Sequence, residues 1–258
     1  MKVLFIADII GQSGREAVAR ILPELKLKEQ VDLVIANGEN AAHGMGLTPS
    51  IARDLFHLGV DVLTMGNHTW DKKEILDIID DEPIVRPANY APGVPGRGAI
   101  LASTATGVKV GILNLIGRVF MPPNDCPFRA ADKVIAELKK ETPVIIVDIH
   151  AEATSEKVAM GWYLDGKVSA VIGTHTHVQT ADDKILPGGT AYLTDVGMTG
   201  PFDSVIGIKK EIILQRFLMQ MPIRFEVSDK DIWFNGALIE IDEKSGKAIQ
   251  IQRLQIKV

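Results

Sequence analysis

The chain has 258 residues, 46% of them hydrophobic and 24% charged, with a formal net charge of −5. That composition suits a soluble globular protein with a large core. The absence of a basic run excludes a surface built to wrap a nucleic-acid backbone, though not a small nucleotide held through a metal. The one cysteine, Cys126, rules out an internal disulfide. This agrees with a reducing compartment, and Cys126 reads as a small buried hydrophobe.

Strand and helix patterns alternate from the N-terminus. MKVLFIADIIG resembles a signal peptide only briefly, because Asp8 interrupts the apolar run and a helix pattern comes next. KVLFIAD is therefore expected as a first buried strand. GREAVARILPELKLKE carries Val18, Ile21, Leu22 and Leu25 at helical spacing, with Pro23 expected to kink or interrupt it. DLVIANGEN is a strand running into a loop. TPSIARDLFHLG predicts a capped helix, with Thr48 as N-cap, Pro49 at the first helical position and Gly59 past the end. VDVLTMGNH repeats the strand-to-loop pattern, and KKEILDIID predicts another helix.

GAILAS and VKVGILNLIG, joined through TATG, predict an antiparallel hairpin. FRAADKVIAELKKE then reads as a helix, PVIIVDIH as a strand, TSEKVAMGWYL as a helix and VSAVIGTHTH as a strand. TAYLTDVG comes after a Pro-Gly-Gly turn. From IRFEV to the end the pattern is strand-rich and antiparallel. No linker, repeat or low-complexity segment divides the chain. The expectation is one α/β domain over residues 1–258, with two mixed β-sheets packed face to face and helices on both outer sides. No apolar run reaches the length of a membrane span, so a cytoplasmic protein is expected.

The ends of the strands are more telling than the strands themselves. They deliver Asp8, then Glu39 and Asn40, then Asn67 and His68, then His150, then His175 and His177. Sites in α/β folds lie beyond the carboxyl ends of the strands. Gly38, Gly66 and Gly173 sit just before these groups, where glycine permits sharp turns and close backbone approach. If the strand persists through GTHTH, His175 and His177 share one face and aim at one point. Oxygen and nitrogen ligands without thiolate suit iron, manganese or zinc better than magnesium or calcium. The candidates outnumber one ion's coordination sphere, so two ions sharing a carboxylate fit better, and such a pair is a clamp for displacement at phosphorus.

These residues carry a resemblance. GNH, GTHTH, the N-terminal strand ending in Asp8 and the isolated IH between them resemble the calcineurin-like metallophosphoesterases. ADIIGQSGR, NGENAAHG, GNHTWD, RPANY, DIHAEATSEK, GTHTHVQTAD and DVGMTGP resemble, more closely, the YmdB-like branch. The resemblance implies a 2′,3′-cyclic-nucleotide phosphodiesterase that breaks the bond to the 2′ oxygen. It implies two metal ions, with iron favoured and manganese, zinc or magnesium as alternatives. It assigns Asp8, Asn40 and His177 to one ion, Asn67, His150 and His175 to the other, Glu39 as the bridge and His68 as the proton donor. The chain departs from the superfamily's Asp-x-His motif at Asp8-Ile9-Ile10, and Asn40 is placed to fill the missing ligand.

The partners expected are a small nucleotide, RNA ends and further copies of the chain in a homo-oligomer, with no membrane. Two other functions stand beside the leading one: a phosphomonoesterase such as a 5′-nucleotidase, and a regulatory binder with little turnover. His43 and His57 read as surface or packing residues. GQSGR lacks a full phosphate-binding fingerprint and reads as a plain strand-to-helix turn. Arg118 either meets a phosphate at the mouth of the site or joins a structural ion pair.

Overall fold

A computed structural model describes residues 1–258. One sheet is built around β1 (Lys2–Ile6), β3 (Leu33–Asn37), β4 (Val62–Thr64) and the short β5 (Ile84–Val85), in that order and all parallel. On the other side of β1 runs the antiparallel β13 (Ile232–Ile241), which pairs in turn with β14 (Ala248–Lys257). Past the end of β1, β2 (Asp8–Ile9) pairs with β12 (Met198–Pro201), which also joins β13. The second sheet has the order β10 (Lys184–Ile185), β11 (Ala191–Leu193), β9 (Ala170–Thr174), β8 (Ile145–His150), β7 (Lys109–Ile116) and β6 (Ala99–Ser103). Strands β7, β8, β9 and β11 are parallel. The β6–β7 hairpin is antiparallel, with Ala99 opposite Leu113 and Ser103 opposite Lys109.

Strand alternation builds the layers. Val3 and Phe5 point between the sheets, where they meet Ile35 and Val62 from their own sheet and Ile112, Ile146 and Ile172 from the other. Leu4 and Ile6 point outward onto α1 (Gly11–Glu29) and α2 (Pro49–His57), through Val18, Leu22 and Leu55. The second sheet turns Leu113, Leu115, Val147 and Ile149 outward onto α3 (Pro127–Leu138) and α4 (Thr154–Leu164), through Ile135, Met160 and Leu164. Strands covered on both faces must be apolar throughout, which is why they read as continuous runs in the sequence. The result is the expected helix–sheet–sheet–helix sandwich.

Several local expectations change. Pro23 neither breaks nor splits α1. It and Ala19 both lie on the exposed face, so the carbonyl that proline leaves unbonded faces water. Thr48 does cap α2, accepting the Ile51 N–H at 3.5 Å. KKEILDIID forms only a 3₁₀ turn over Lys73–Asp77. Acidic Asp77, Asp80 and Asp81 fall where a helix C-terminus disfavours them, and i, i+3 bonding suffices to bury Ile75 and Ile78. IRFEV is not a strand; Val227 makes only an isolated bridge to Ile208. A helix absent from the sequence reading, α5 (Lys210–Met219), precedes it. Apolar residues lie on every face of that segment, so no amphipathic stripe marks it, and only Ile213 is buried. Cys126 is half-buried at the N-cap of α3, not a core residue.

Candidate metal centre

The carboxyl ends of β1, β3, β4, β8 and β9 meet at one rim, and each hands its residue to the same place. His150 ends β8 and is fully buried. Its Nδ1 lies 2.9 Å from Thr174 Oγ1, and that hydroxyl donates to Asp148 Oδ1 at 2.7 Å. Because the hydroxyl proton is committed to Asp148, its oxygen accepts from His150, which fixes a proton on Nδ1 and makes Nε2 the nitrogen open to a cation in the neutral ring. Nε2 faces Asn67 Oδ1 at 2.9 Å, Glu39 Oε1 at 3.0 Å and His175 Nδ1 at 3.0 Å.

The other two imidazoles also turn a nitrogen inward. His175 has Nε2 3.2 Å from Glu152 Oε2 and Nδ1 facing His150. His177 donates from Nδ1 to the carbonyl of Ile206 at 2.9 Å, leaving Nε2 facing Asp8 Oδ2 at 3.4 Å and the Asn40 amide at 3.3 Å. Glu39 stands between the two groups. Its Oε1 meets His150 and, at 3.2 Å, the Asn40 amide; its Oε2 accepts the His68 N–H at 3.0 Å.

Around His150 Nε2, three acceptor atoms (Asn67 Oδ1, Glu39 Oε1 and His175 Nδ1) converge with at most one proton among them, an arrangement that suits a cation. Asp8 supplies a second sign: Oδ2 accepts the His175 N–H at 3.0 Å, but Oδ1 is buried with no hydrogen-bond partner. Glu39, His150 and His175 each place a ligand atom within 4.8 Å of the others. The donor set therefore fits divalent or trivalent first-row ions.

The electrostatics point the same way. Burial opposes charge on Glu39, but the charge and hydrogen bond of His150 outweigh it and hold the carboxyl down at about 2. Burial likewise opposes charge on His150, yet Glu39, with Asp8 and Asp148 behind it, pushes that imidazole up to about 9. Burial and the neighbouring His150 push His175 down to about 3. One proton on His150 Nε2 can satisfy only one of its three contacts, whereas a metal ion would satisfy all three.

The turn that carries the two histidines differs from expectation. Strand β9 ends at Thr174, and His175 (φ 99°) and His177 (φ 65°) both lie in the left-handed region. They do not share a strand face or aim at one point. His175 joins His150, Asn67 and Glu39, while His177 joins Asp8 and Asn40. The strained turn is held by a buried ion pair: Lys157 Nζ lies 2.7 Å from Asp195 Oδ2, which also accepts the Thr176 N–H at 3.1 Å and hydroxyl at 2.7 Å. Nor is the chain extended at Asn67 and His68, which lie in a turn. His68 is half-exposed, its Nδ1 is 2.8 Å from Asp71 Oδ2, and its Nε2 makes no hydrogen bond within the chain.

The glycines act by close approach. A Cβ on Gly66 would lie 2.3 Å from His150 Nε2 and 2.4 Å from Glu39 Oε2, and one on Gly173 would lie 1.8 Å from the Thr194 carbonyl. Gly38 is less constrained, with Leu63 at 3.1 Å. His43 and His57 are exposed, as expected. The first turn of α1 occupies the GQSGR segment, where Arg15 donates to the Ala41 carbonyl and Ser13 to that of Ser228. The Arg118 side chain forms no ion pair. Asp71, Glu152, Thr174, Asp148, Lys157 and Asp195 were missed by the sequence reading. Only Asp71 carried a local signal, three residues after His68 in GNHTWD.

A four-layer sandwich with a buried histidine and carboxylate cluster at these strand ends is the architecture of a metallophosphoesterase. The family model described as YmdB-like protein matches residues 4–254, and the chain belongs to that family. It is 54% identical over 257 residues to a 2′,3′-cyclic-nucleotide 2′-phosphodiesterase of Bacillus subtilis, covering 99% of this chain and 97% of that one. Among solved structures, a hypothetical protein of Thermus thermophilus superposes with a TM-score of 0.94 at 44% identity, over 100% of this chain and 99% of that one. A phosphatase of Mycoplasma pneumoniae gives 0.93 at 39% identity, over 100% and 93%.

Proposed function

We propose that this protein is a dinuclear metal-dependent phosphodiesterase that opens 2′,3′-cyclic nucleotides to 3′-monophosphates. One observation carries the metal centre: His150, His175 and His177 each turn a ring nitrogen inward among buried carboxylate and amide groups, in two groups that meet at Glu39 Oε1. Asn67, His150 and His175 would hold one ion, and Asp8, Asn40 and His177 the other, with Glu39 bridging. Asn40 would turn its amide oxygen inward. The resemblance favours iron, with manganese, zinc or magnesium as alternatives. The named activity of the Bacillus subtilis relative supports the substrate class.

When bound, the ions supply an activated water and neutralise charge on the phosphoryl oxygens. The chain's own residues do the rest. The buried Thr174–Asp148 pair and the Ile206 carbonyl fix the ring orientations of His150 and His177 before any ligand arrives. Water's oxygen bonds to phosphorus as the bond to the 2′ oxygen breaks, and that departing alkoxide needs a proton. His68, oriented through Nδ1 by Asp71 and in the same turn as Asn67, would give that proton from Nε2 as the imidazolium.

A single comparison tests this role. His68→Ala should keep its metals and lose on the order of 10²-fold or more in kcat on a 2′,3′-cyclic nucleotide. It should lose far less on a p-nitrophenyl ester, whose leaving group needs little protonation. Equal losses on both, or loss of metal, would remove His68 as the acid. Product analysis should find the 3′-monophosphate, and equal rates on 3′,5′-cyclic isomers would refute the substrate assignment. A phosphomonoesterase is the second reading, favoured by the description of the Mycoplasma pneumoniae structure as a phosphatase. Assay of 5′-mononucleotides alongside the cyclic esters separates the two.

A further inference from the structure

The loop after β7 is attached directly to the metal centre. Gly117 donates its N–H to the carbonyl of His150 at 2.9 Å. The next two N–H groups, of Arg118 and Val119, both donate to the Glu156 carboxylate, at 3.0 to 3.3 Å. Glu156 is buried in the first turn of α4. There is no slack at the loop's root: a Cβ on Gly117 would lie 2.5 Å from Glu156 Oε2 and 2.6 Å from the Ala151 Cβ. On the far side, Pro122 and Pro123 stiffen the chain's return.

This firmly held loop presents two unpartnered side chains. Phe120 is 88% exposed and sits at φ 60°, a left-handed conformation that a bulky residue adopts only at a cost. Arg118 is exposed, and its guanidinium has no hydrogen bond or ion pair within the chain. A flexible loop would relax the strain and fold the ring down; this one is pinned by a buried carboxylate. The cost of the strained backbone and the bare ring is repaid by nothing within the chain, which points to a ligand. Phe120 is three residues from Gly117, so its Cα stands within about 11 Å of the Gly117 Cα. The loop's root thus bonds the backbone of His150, and Phe120 lies on the same short loop.

We propose that Phe120 is the platform on which the substrate's nucleobase stacks, with Arg118 drawing the anionic nucleotide toward it; this rests on the phosphodiesterase reading above. Stacking on one ring is tolerant of base identity, because every base has a π-face. The enzyme should therefore accept all four bases, with purines favoured by their larger overlap.

The test uses the metal-loaded full chain and its Phe120→Ala and Phe120→Trp variants. Kinetics on 2′,3′-cyclic AMP are compared with those on ribose 2′,3′-cyclic phosphate, which has no base. Calorimetry compares binding of 3′-AMP with binding of inorganic phosphate. Phe120→Ala should raise KM for the cyclic nucleotide and Kd for 3′-AMP by roughly 5- to 100-fold. The baseless ester and phosphate should be unaffected, and Phe120→Trp should restore wild-type behaviour. Equal effects with and without the base would overturn the proposal. So would unchanged kinetics and binding with a changed sedimentation coefficient, which would make the loop a contact between protein chains. If the wild type opens neither cyclic ester, the phosphodiesterase reading fails, and the contrast between 3′-AMP and phosphate still decides the role of Phe120.

Discussion

Replacing Thr174 by valine keeps the shape of a fully buried side chain and removes one hydroxyl. That hydroxyl accepts from His150 Nδ1 at 2.9 Å and donates to Asp148 Oδ1 at 2.7 Å, so two groups lose a partner where no water can replace it. The ring proton on Nδ1 then has no acceptor, whereas on Nε2 it would meet Glu39 Oε1 at 3.0 Å. The tautomer that closes Nε2 to a metal becomes the favoured one. Partners of this kind are worth 10- to 100-fold in metal affinity, or about 1.4 to 2.7 kcal/mol. Asp148 keeps the Thr64 hydroxyl at 2.6 Å, but burial already pushes its carboxyl up to about 7, and loss of Thr174 pushes it further. The metal-free protein should lose about 1–3 kcal/mol of stability. Thr174→Ser keeps the hydroxyl and should restore metal affinity. Manganese titration of both variants, with denaturant unfolding of the metal-free forms, measures the two effects separately. A valine variant that binds metal like wild type, or a serine variant no better than valine, would refute control of the centre through the His150 tautomer.

Glu39→Ala should lower occupancy of both ions, because its carboxylate meets both groups through Oε1, while His177→Ala should empty mainly one; elemental analysis after reconstitution reads the stoichiometry, and at most one ion in the wild type would end the dinuclear model. Metal affinity should rise with pH through neutrality toward the raised His150 value of about 9, because a proton held there in the metal-free site must leave before a cation binds; calorimetry in buffers of different ionisation enthalpy should show proton release, and its absence would contradict the competition. In the metal-free protein the same group has the opposite effect on folding. A histidine raised on folding stabilises fully below its unfolded value of about 6.5, and that contribution is lost as pH rises through about 9; stability curves from pH 6 to 10 should show the fall. Lys157→Met leaves Asp195 buried and unpaired and should cost about 3–5 kcal/mol, read by denaturant unfolding, with loss of metal because the 175–177 turn loses its anchor.

The alternation of continuous apolar runs with helical patterns determined the layered fold, because a strand covered on both faces cannot be polar and a helix covered on one must be striped. The same logic gathered the candidate site residues. Parallel strands leave their carboxyl ends on one rim, so Asp8, Glu39, Asn40, Asn67, His150, His175 and His177 could be read as neighbours without any contact being known. Helix α5 escaped because its apolar residues show no periodicity, and KKEILDIID misled because periodicity over so few residues does not distinguish an α-helix from a 3₁₀ turn. What only the tertiary structure decided is how each ligand is aimed. His175 and His177 part company in a left-handed turn, where strand alternation would have kept them together. That turn is held by Lys157 from α4 and Asp195 from the loop after β11. The tautomers of His150 and His177 depend on Thr174 and the Ile206 carbonyl, partners from separate segments of the chain. The identity of a side chain at a strand end is a local property and survives in the sequence. Ligand orientation is a hydrogen bond between distant segments, and it exists only once both sheets have closed around it.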